Sequence, residues 1–184
     1  MIKKITFENI HSGSSIGTFA FHVEIDDSPS EEDEINIVIE KMLKFPTAKK
    51  RIVLITGNYP TGFDDLMSTF MLTLKDKGFI IQVEVPGNRV LPWYNQANRL
   101  TVHIDDCRKW PSFPCDEFVL HATGDEAPPE PQVPELNPNI VLSFDPGRLS
   151  TIKVFVFLNK ATKNWRIYPE ANKVHIQVVY KRRS

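Results

Sequence analysis

Cysteine is scarce in this chain: two residues among 184, Cys107 and Cys115, are too few for a disulfide framework. An excess of charge of either sign is also missing. The formal net charge is −1, which argues against general binding to nucleic acid, where many phosphates must be neutralised at once. The one basic run, Lys181-Arg182-Arg183, reads as a solvated tail. No apolar run approaches the ~20 residues needed to cross a bilayer. Met1-Ile2-Lys3-Lys4 leads into strand alternation and not into the long apolar stretch of a signal peptide. A cytoplasmic protein without membrane contact is the expectation that these absences leave.

What is present is ordinary globular material, 41% apolar and 24% charged, on a length that suits one domain spanning residues 1–184. Residues 2–7 and 19–25 alternate as strands, and Phe19, Phe21, Val23 and Ile25 share one side. A helix follows. Ser30 can cap it, Glu31 to Glu34 favour its positive end, and Ile35, Val38, Ile39 and Met42 form its apolar stripe. Residues 51–56 form a buried strand leading to a second helix. Its stripe is Phe63, Leu66, Met67, Phe70 and Leu74, closed by Lys75, Lys77 and Gly78. Residues 79–85 are again nearly all apolar, so strand, helix and strand read as a parallel βαβ unit.

Beyond Pro86 helical stripes are missing. Strands are expected at 99–104, 118–122, 140–144, 152–158 and 173–180. Seven of the fourteen prolines fall within 111–138, which excludes helix interiors there and predicts a Pro-rich loop at about 124–138. A loop of that length and composition suits wrapping a surface or touching a protein partner.

The turn Thr56-Gly57-Asn58-Tyr59-Pro60, followed by a helix and then by Glu84-Val85-Pro86-Gly87-Asn88 after the next strand, resembles the radical S-adenosylmethionine (SAM) fold. It is most similar to the 7-carboxy-7-deazaguanine synthase family of deazapurine (queuosine precursor) synthesis, with its T-G-G-E-P and E-T-N-G-T turns. Two further stretches follow the same order. Glu8 to Val23 is similar to the family's opening S-I-Q-G-E-G and following F-V strand, and Arg166 to Lys173 to its R-L-S-x-Q-x-H-K. The resemblance spans most of the chain. It implies a partial, trimmed (β/α) barrel with mostly parallel strands, its helices lost in the C-terminal half, and by analogy a homodimer.

The departures from that family carry the functional expectation. A [4Fe–4S] cluster needs three thiolates in the radical enzymes. Where C-x3-C-x2-C would stand, this chain has Asp26-Asp27-Ser28-Pro29-Ser30-Glu31-Glu32, so no cluster is expected and radical catalysis is excluded. Asn58 and Tyr59 occupy the positions of the family's second glycine and glutamate, which argues against SAM, and Val85 and Pro86 replace the Thr and Asn of the second turn. A pseudoenzyme is the implied reading: a non-catalytic protein that binds a small ligand or a protein partner. The ligand candidates are Thr56, Gly57, Asn58, Tyr59, Glu84 and Asn88, with a nucleotide- or pterin-like ring stacked on Tyr59.

Two alternatives stay open. One is an accessory of deazapurine metabolism. The other is a metal-dependent, non-radical hydrolase in which His103 and Asp105, two residues apart at a strand end, share a divalent ion. His22 and Glu24 share the polar face of an early strand, where a His–carboxylate pair suits acid–base work, and His11 and His121 could reach the same rim. Cys107 and Cys115 are expected as small buried thiols. Trp93, Tyr94, Trp110, Trp165 and Tyr168 lie outside the clear stripes, where they would either serve a partner surface or, the favoured reading, belong to a core capped by loops.

Overall fold

The computed structural model describes residues 1–10, 17–26, 32–46, 51–59, 62–87, 91–104, 113–122, 139–144, 165–169 and 178–179. Alternation brings the first strands together. β1 (Ile2–Asn9) runs antiparallel to β2 (Phe19–Ile25), with Thr6 opposite His22 and Glu8 opposite Ala20. β3 (Ile52–Gly57), β4 (Ile80–Pro86), β5 (Arg99–Ile104), β6 (Glu117–Ala122), β7 (Asn139–Phe144) and β8 (Trp165–Pro169) follow, and β9 (Val178–Val179) ends the series. The nine strands form one sheet in chain order. Each neighbour pair from β2 to β8 is parallel, and β8 and β9 are antiparallel.

α1 (Glu32–Lys44) connects β2 to β3, and α2 (Asp64–Asp76) connects β3 to β4. The fold is therefore mixed α/β with a mostly parallel sheet. After Asp76 the described residues add strands and a single 3-10 turn, Tyr94–Gln96, which the sequence pattern does not anticipate. The end of α2 shows why its stripe stops where it does. Gly78, at φ +78°, donates its N–H to Lys75, and the Phe79 N–H reaches back to Leu74. This is a Schellman closure, and Phe79 and Leu74 are both buried beside it.

Both helices pack on the same face of the sheet. Ile35, Val38, Ile39 and Met42 of α1 and Met67, Phe70, Met71 and Leu74 of α2 meet Phe21, Val23, Ile25, Val53, Ile55, Ile81, Val83 and Val85 in one core. Because side chains alternate along a strand, the intervening residues are turned to the opposite face. There the lower part is apolar, with Ile10, Ala20, Ile52 and Leu54 packed together and Ile80 against them. The upper part carries His22, Thr56, Glu84, His103 and His121.

Several expectations are revised. The first strand extends to Asn9. Trp165–Pro169 is a strand, although the sequence reading placed only a motif there. Of the strand expected at 173–180, residues 178–179 are described. The strand expected at 152–158, the Pro-rich loop at 124–138, the cap at Ser30, and Cys107 and Trp110 lie outside the described residues. Trp93 belongs to the core, as expected, and is one of its largest fully buried side chains, and Tyr94 is half-buried. No helix among the described residues is long and apolar enough to cross a membrane.

Candidate functional site

Three neighbouring strands assemble the first cluster. Parallel pairing sets His22 of β2 beside Leu54 of β3, two residues before Thr56 on the same face. The His22 imidazole bridges the strands. Its Nδ1 lies 2.8 Å from Glu8 Oε1, and its Nε2 lies 2.7 Å from the Thr56 hydroxyl. Thr6 donates its own hydroxyl to the same Glu8 oxygen at 2.7 Å. An ionised carboxylate only accepts, so His22 places its proton on Nδ1 and offers the Nε2 lone pair to the Thr56 O–H.

A second relay stands on β4 to β6. His103 Nε2 lies 3.2 Å from Glu84 Oε2, and His103 Nδ1 lies 2.9 Å from His121 Nε2, with the two rings stacked 5.2 Å apart. The same logic orients the neutral chain from His121 through His103 to Glu84. Register places Ile55 beside Val83, so Thr56 and Glu84 are neighbours across adjacent strands.

Between the two relays the sheet face holds a cleft of about 100 Å³, lined by Glu8, Asn9, Ile10, Ala20, His22, Leu54, Thr56 and Glu84. Its polar lining is rich in acceptors. Asn9 borders the cleft as well, but it pairs with Phe19 on the helix-side face, so its buried Oδ1, which meets no donor among the described residues, is turned away from the space. Ile10, Ala20 and Leu54 supply the apolar floor.

The sequence-derived candidates separate into those brought together here and those that are not. Thr56 and Glu84 line the cleft. Gly57 acts through its backbone, pressed against Ile25, and the Asn58 N–H donates to the Ile25 carbonyl at 3.2 Å while its side chain is exposed. Tyr59 is the clearest correction: it is buried in the helix-side core and packs on Trp93 with ring centroids 5.3 Å apart. Its hydroxyl lies 2.8 Å from the Ile55 carbonyl and 2.7 Å from the Glu84 carbonyl. A ring so enclosed offers no face on which a ligand can stack. The left-handed backbone at Tyr59, φ +38°, aims the side chain inward at a cost of about 1 kcal/mol.

His22 pairs with Glu8 and not with Glu24, whose carboxylate takes Lys3 instead. His103 joins Glu84 and His121, whereas Asp105, Asn88 and His11 lie outside the described residues. No three His, Cys, Asp or Glu side chains among the described residues are grouped to hold a metal ion. Cys115 is a free thiol bonded to the Glu117 carbonyl, and burial pushes it up to about 12, so it is neither a thiolate ligand nor a nucleophile at neutral pH. Glu8 and Asn9 are the site residues that sequence reasoning missed.

The buried phenol has a consequence for alkaline stability. Burial, reinforced by the Glu84 charge, holds Tyr59 well above its ordinary value of 10. The folded chain keeps this proton when the unfolded chain loses it. Stability is therefore fully present below about pH 10 and declines by about 1.4 kcal/mol per pH unit above it. Tyr59→Phe is expected to flatten that decline and to cost about 1 kcal/mol at neutral pH through the lost hydrogen bond. Urea midpoints taken between about pH 8 and pH 11 measure both.

No family model matches this sequence, and no curated protein and no solved structure matches it significantly.

Proposed function

We propose that this chain is a trimmed (β/α) barrel of radical-SAM type that has lost radical chemistry and binds a small, donor-rich ligand on the sheet face turned away from its helices. The observation that carries the reading is the cleft lining: two carboxylates, Glu8 and Glu84, stand around one small space. Such a lining selects groups that bring N–H donors, such as an ammonium, an amidine or the edge of an aminopyrimidine. The chain-order sheet with both described helices on one face supports the barrel reading, because doubly wound sheets reverse direction and use both faces.

The size of the cleft narrows the ligand. About 100 Å³ is well below the ~300 Å³ at which pockets enclose a whole drug-sized molecule. Only the polar edge of a pterin, nucleotide or deazapurine enters it, and stacking on Tyr59 contributes nothing. An accessory role in deazapurine metabolism stays compatible with an aminopyrimidine edge. The radical cofactor does not fit this chain, which has two cysteines in all, too few for the three thiolates of a cluster.

Calorimetry with a panel of ethylamine, acetamidine, pterin, deazaguanine, GTP, SAM and acetate tests the reading. Donor-bearing members other than SAM are expected to bind, and acetate and SAM to fail. Glu84→Gln is expected to weaken binding by about tenfold, equivalent to about 1.4 kcal/mol. A panel in which nothing binds, or binding indifferent to Glu84→Gln, overturns it.

A further inference from the structure

Glu8, His22 and Thr56 form more than a polar lining. We propose that Thr56 is a nucleophile activated by His22, and that this cleft transfers the acyl group of small aminoacyl esters. The inference rests on the ligand reading above for its substrate class and on an independent geometry for its chemistry.

That geometry has three links. Thr56 Oγ1 lies 2.7 Å from His22 Nε2, within reach for direct proton transfer. His22 Nδ1 lies 2.8 Å from Glu8, which fixes the tautomer that leaves Nε2 basic. Thr6 in turn fixes Glu8. Nucleophile, base and orienting carboxylate thus stand in the order that activates a hydroxyl, on three rigid strands. The His22–Glu8 pair is about one-third exposed, His22 at 32% and Glu8 at 42%, so the cluster is reachable from solvent.

The cleft specifies the substrate. Glu84 neighbours Thr56 across adjacent strands and can take an α-ammonium. An ammonium there sets the adjacent ester carbonyl at the Thr56 hydroxyl. Its positive charge also offsets the negative charge that develops on the carbonyl oxygen in a cleft lined by carboxylates. The small volume admits an acyl group of glycine or alanine size and excludes larger ones.

The chemistry balances without a cofactor. The Thr56 O–H proton passes to His22 Nε2 as Oγ1 bonds to the acyl carbon. The ester C–O bond breaks, and the leaving alcohol carries away the proton from His22. Water then attacks the acyl-threonine, giving its proton to His22. The C–Oγ1 bond breaks, the amino acid leaves, and Thr56 recovers its proton. Thr56 is the catalytic residue that makes the bond, and Glu8 is a positioning residue acting through His22.

The test uses glycine 4-nitrophenyl ester with the full chain, followed by acid quench and tandem mass spectrometry. Nitrophenolate release above the buffer rate and a glycyl adduct on Thr56 are expected. Thr56→Val abolishes the adduct, whereas Thr56→Ser retains it. His22→Gln slows release by about 100- to 10,000-fold. Glu8→Gln lowers kcat far more than it raises KM, while Glu84→Gln raises KM for the glycyl ester and leaves the acetyl ester unaffected. Circular dichroism confirms the fold of each variant, and the wild-type adduct is independent of them all. Wild-type protein with no adduct and no release above buffer overturns the inference, as does release that persists in folded Thr56→Val. Ethylamine binding by calorimetry without an adduct would sink this inference and leave the ligand reading standing; loss of binding as well would sink both.

Discussion

Gly57→Ala is expected to destabilise the protein by about 4 kcal/mol, combining left-handed strain with overpacking. Gly57 holds φ +131°, which side chains with a Cβ rarely adopt. A Cβ built there would stand 2.0 Å from the Ile25 carbonyl oxygen, 2.8 Å from the Ile25 nitrogen and 2.9 Å from its carbonyl carbon. These are backbone atoms of a buried strand residue, so no flexible side chain can swing away. Ile25 is also held from both sides of this contact. It pairs with Gly57 in the parallel ladder, and its carbonyl accepts the Asn58 N–H. Gly78→Ala provides the internal comparison: its φ is +78°, nothing lies within 4 Å of the added Cβ, and about 1 kcal/mol is expected. Urea denaturation of the two variants should separate them clearly, and thermal midpoints by roughly 10 °C. A Gly57→Ala loss no larger than that of Gly78→Ala would show that the β2–β3 contact yields. Because Thr56 precedes Gly57, movement there would also break the Thr56–His22 bond and empty the cleft of its geometry.

Elements governed by local periodicity were legible before any coordinates. The α1 stripe of Ile35, Val38, Ile39 and Met42 enters the core as the 3.6-residue repeat requires, and the Gly78 stop signal becomes a real closure. Thr56 and Glu84 reach the cleft because the end of a buried apolar strand, where the run gives way to a polar turn, is a position visible in sequence. What escaped is set by register and by single dihedral angles. Glu8 stands 14 residues from His22, and only the antiparallel pairing of β1 with β2 joins them. Glu24 shares a face with His22 in the same strand and so looked the better partner, but strand neighbours two apart are held about 7 Å from each other while cross-strand residues can touch. Tyr59 occupies a ligand turn by position, yet its φ of +38° turns the ring into the opposite core. No residue-type pattern announces that inversion.

Arg99→Ala is expected to cost about 3 kcal/mol, because it strands a carboxylate deep in the sheet. Glu117 is 1% exposed, and Arg99 Nη2 lies 2.9 Å from its Oε2. Removing one member of a buried pair costs ~3–5 kcal/mol, and the lower end applies since Arg99 itself is 24% exposed and partly screened. The pair belongs to the architecture of the site. Arg99, Thr101 and His103 alternate on one face of β5, and Glu117, Val119 and His121 do so on β6, with Thr101 paired to Glu117 and His103 to Val119. The ion pair thus joins the same two strands that present the stacked histidines higher up. Next to it, Asp116 accepts the Leu100 N–H at 2.7 Å through its side chain and donates its own N–H to the Leu100 carbonyl at 3.0 Å. These contacts pin the start of β5 against the start of β6. Their loss is expected to loosen the His103–His121 bond, read as altered histidine ring signals by NMR in a variant that is still folded. A double variant, Arg99→Met with Glu117→Leu, is expected to recover most of the stability, since apolar residues of similar volume leave no charge to solvate. Recovery separates the cost of an abandoned charge from the net worth of the pair, and a double variant as unstable as Arg99→Ala would show that the pair itself, and not the orphaned carboxylate, holds β5 to β6.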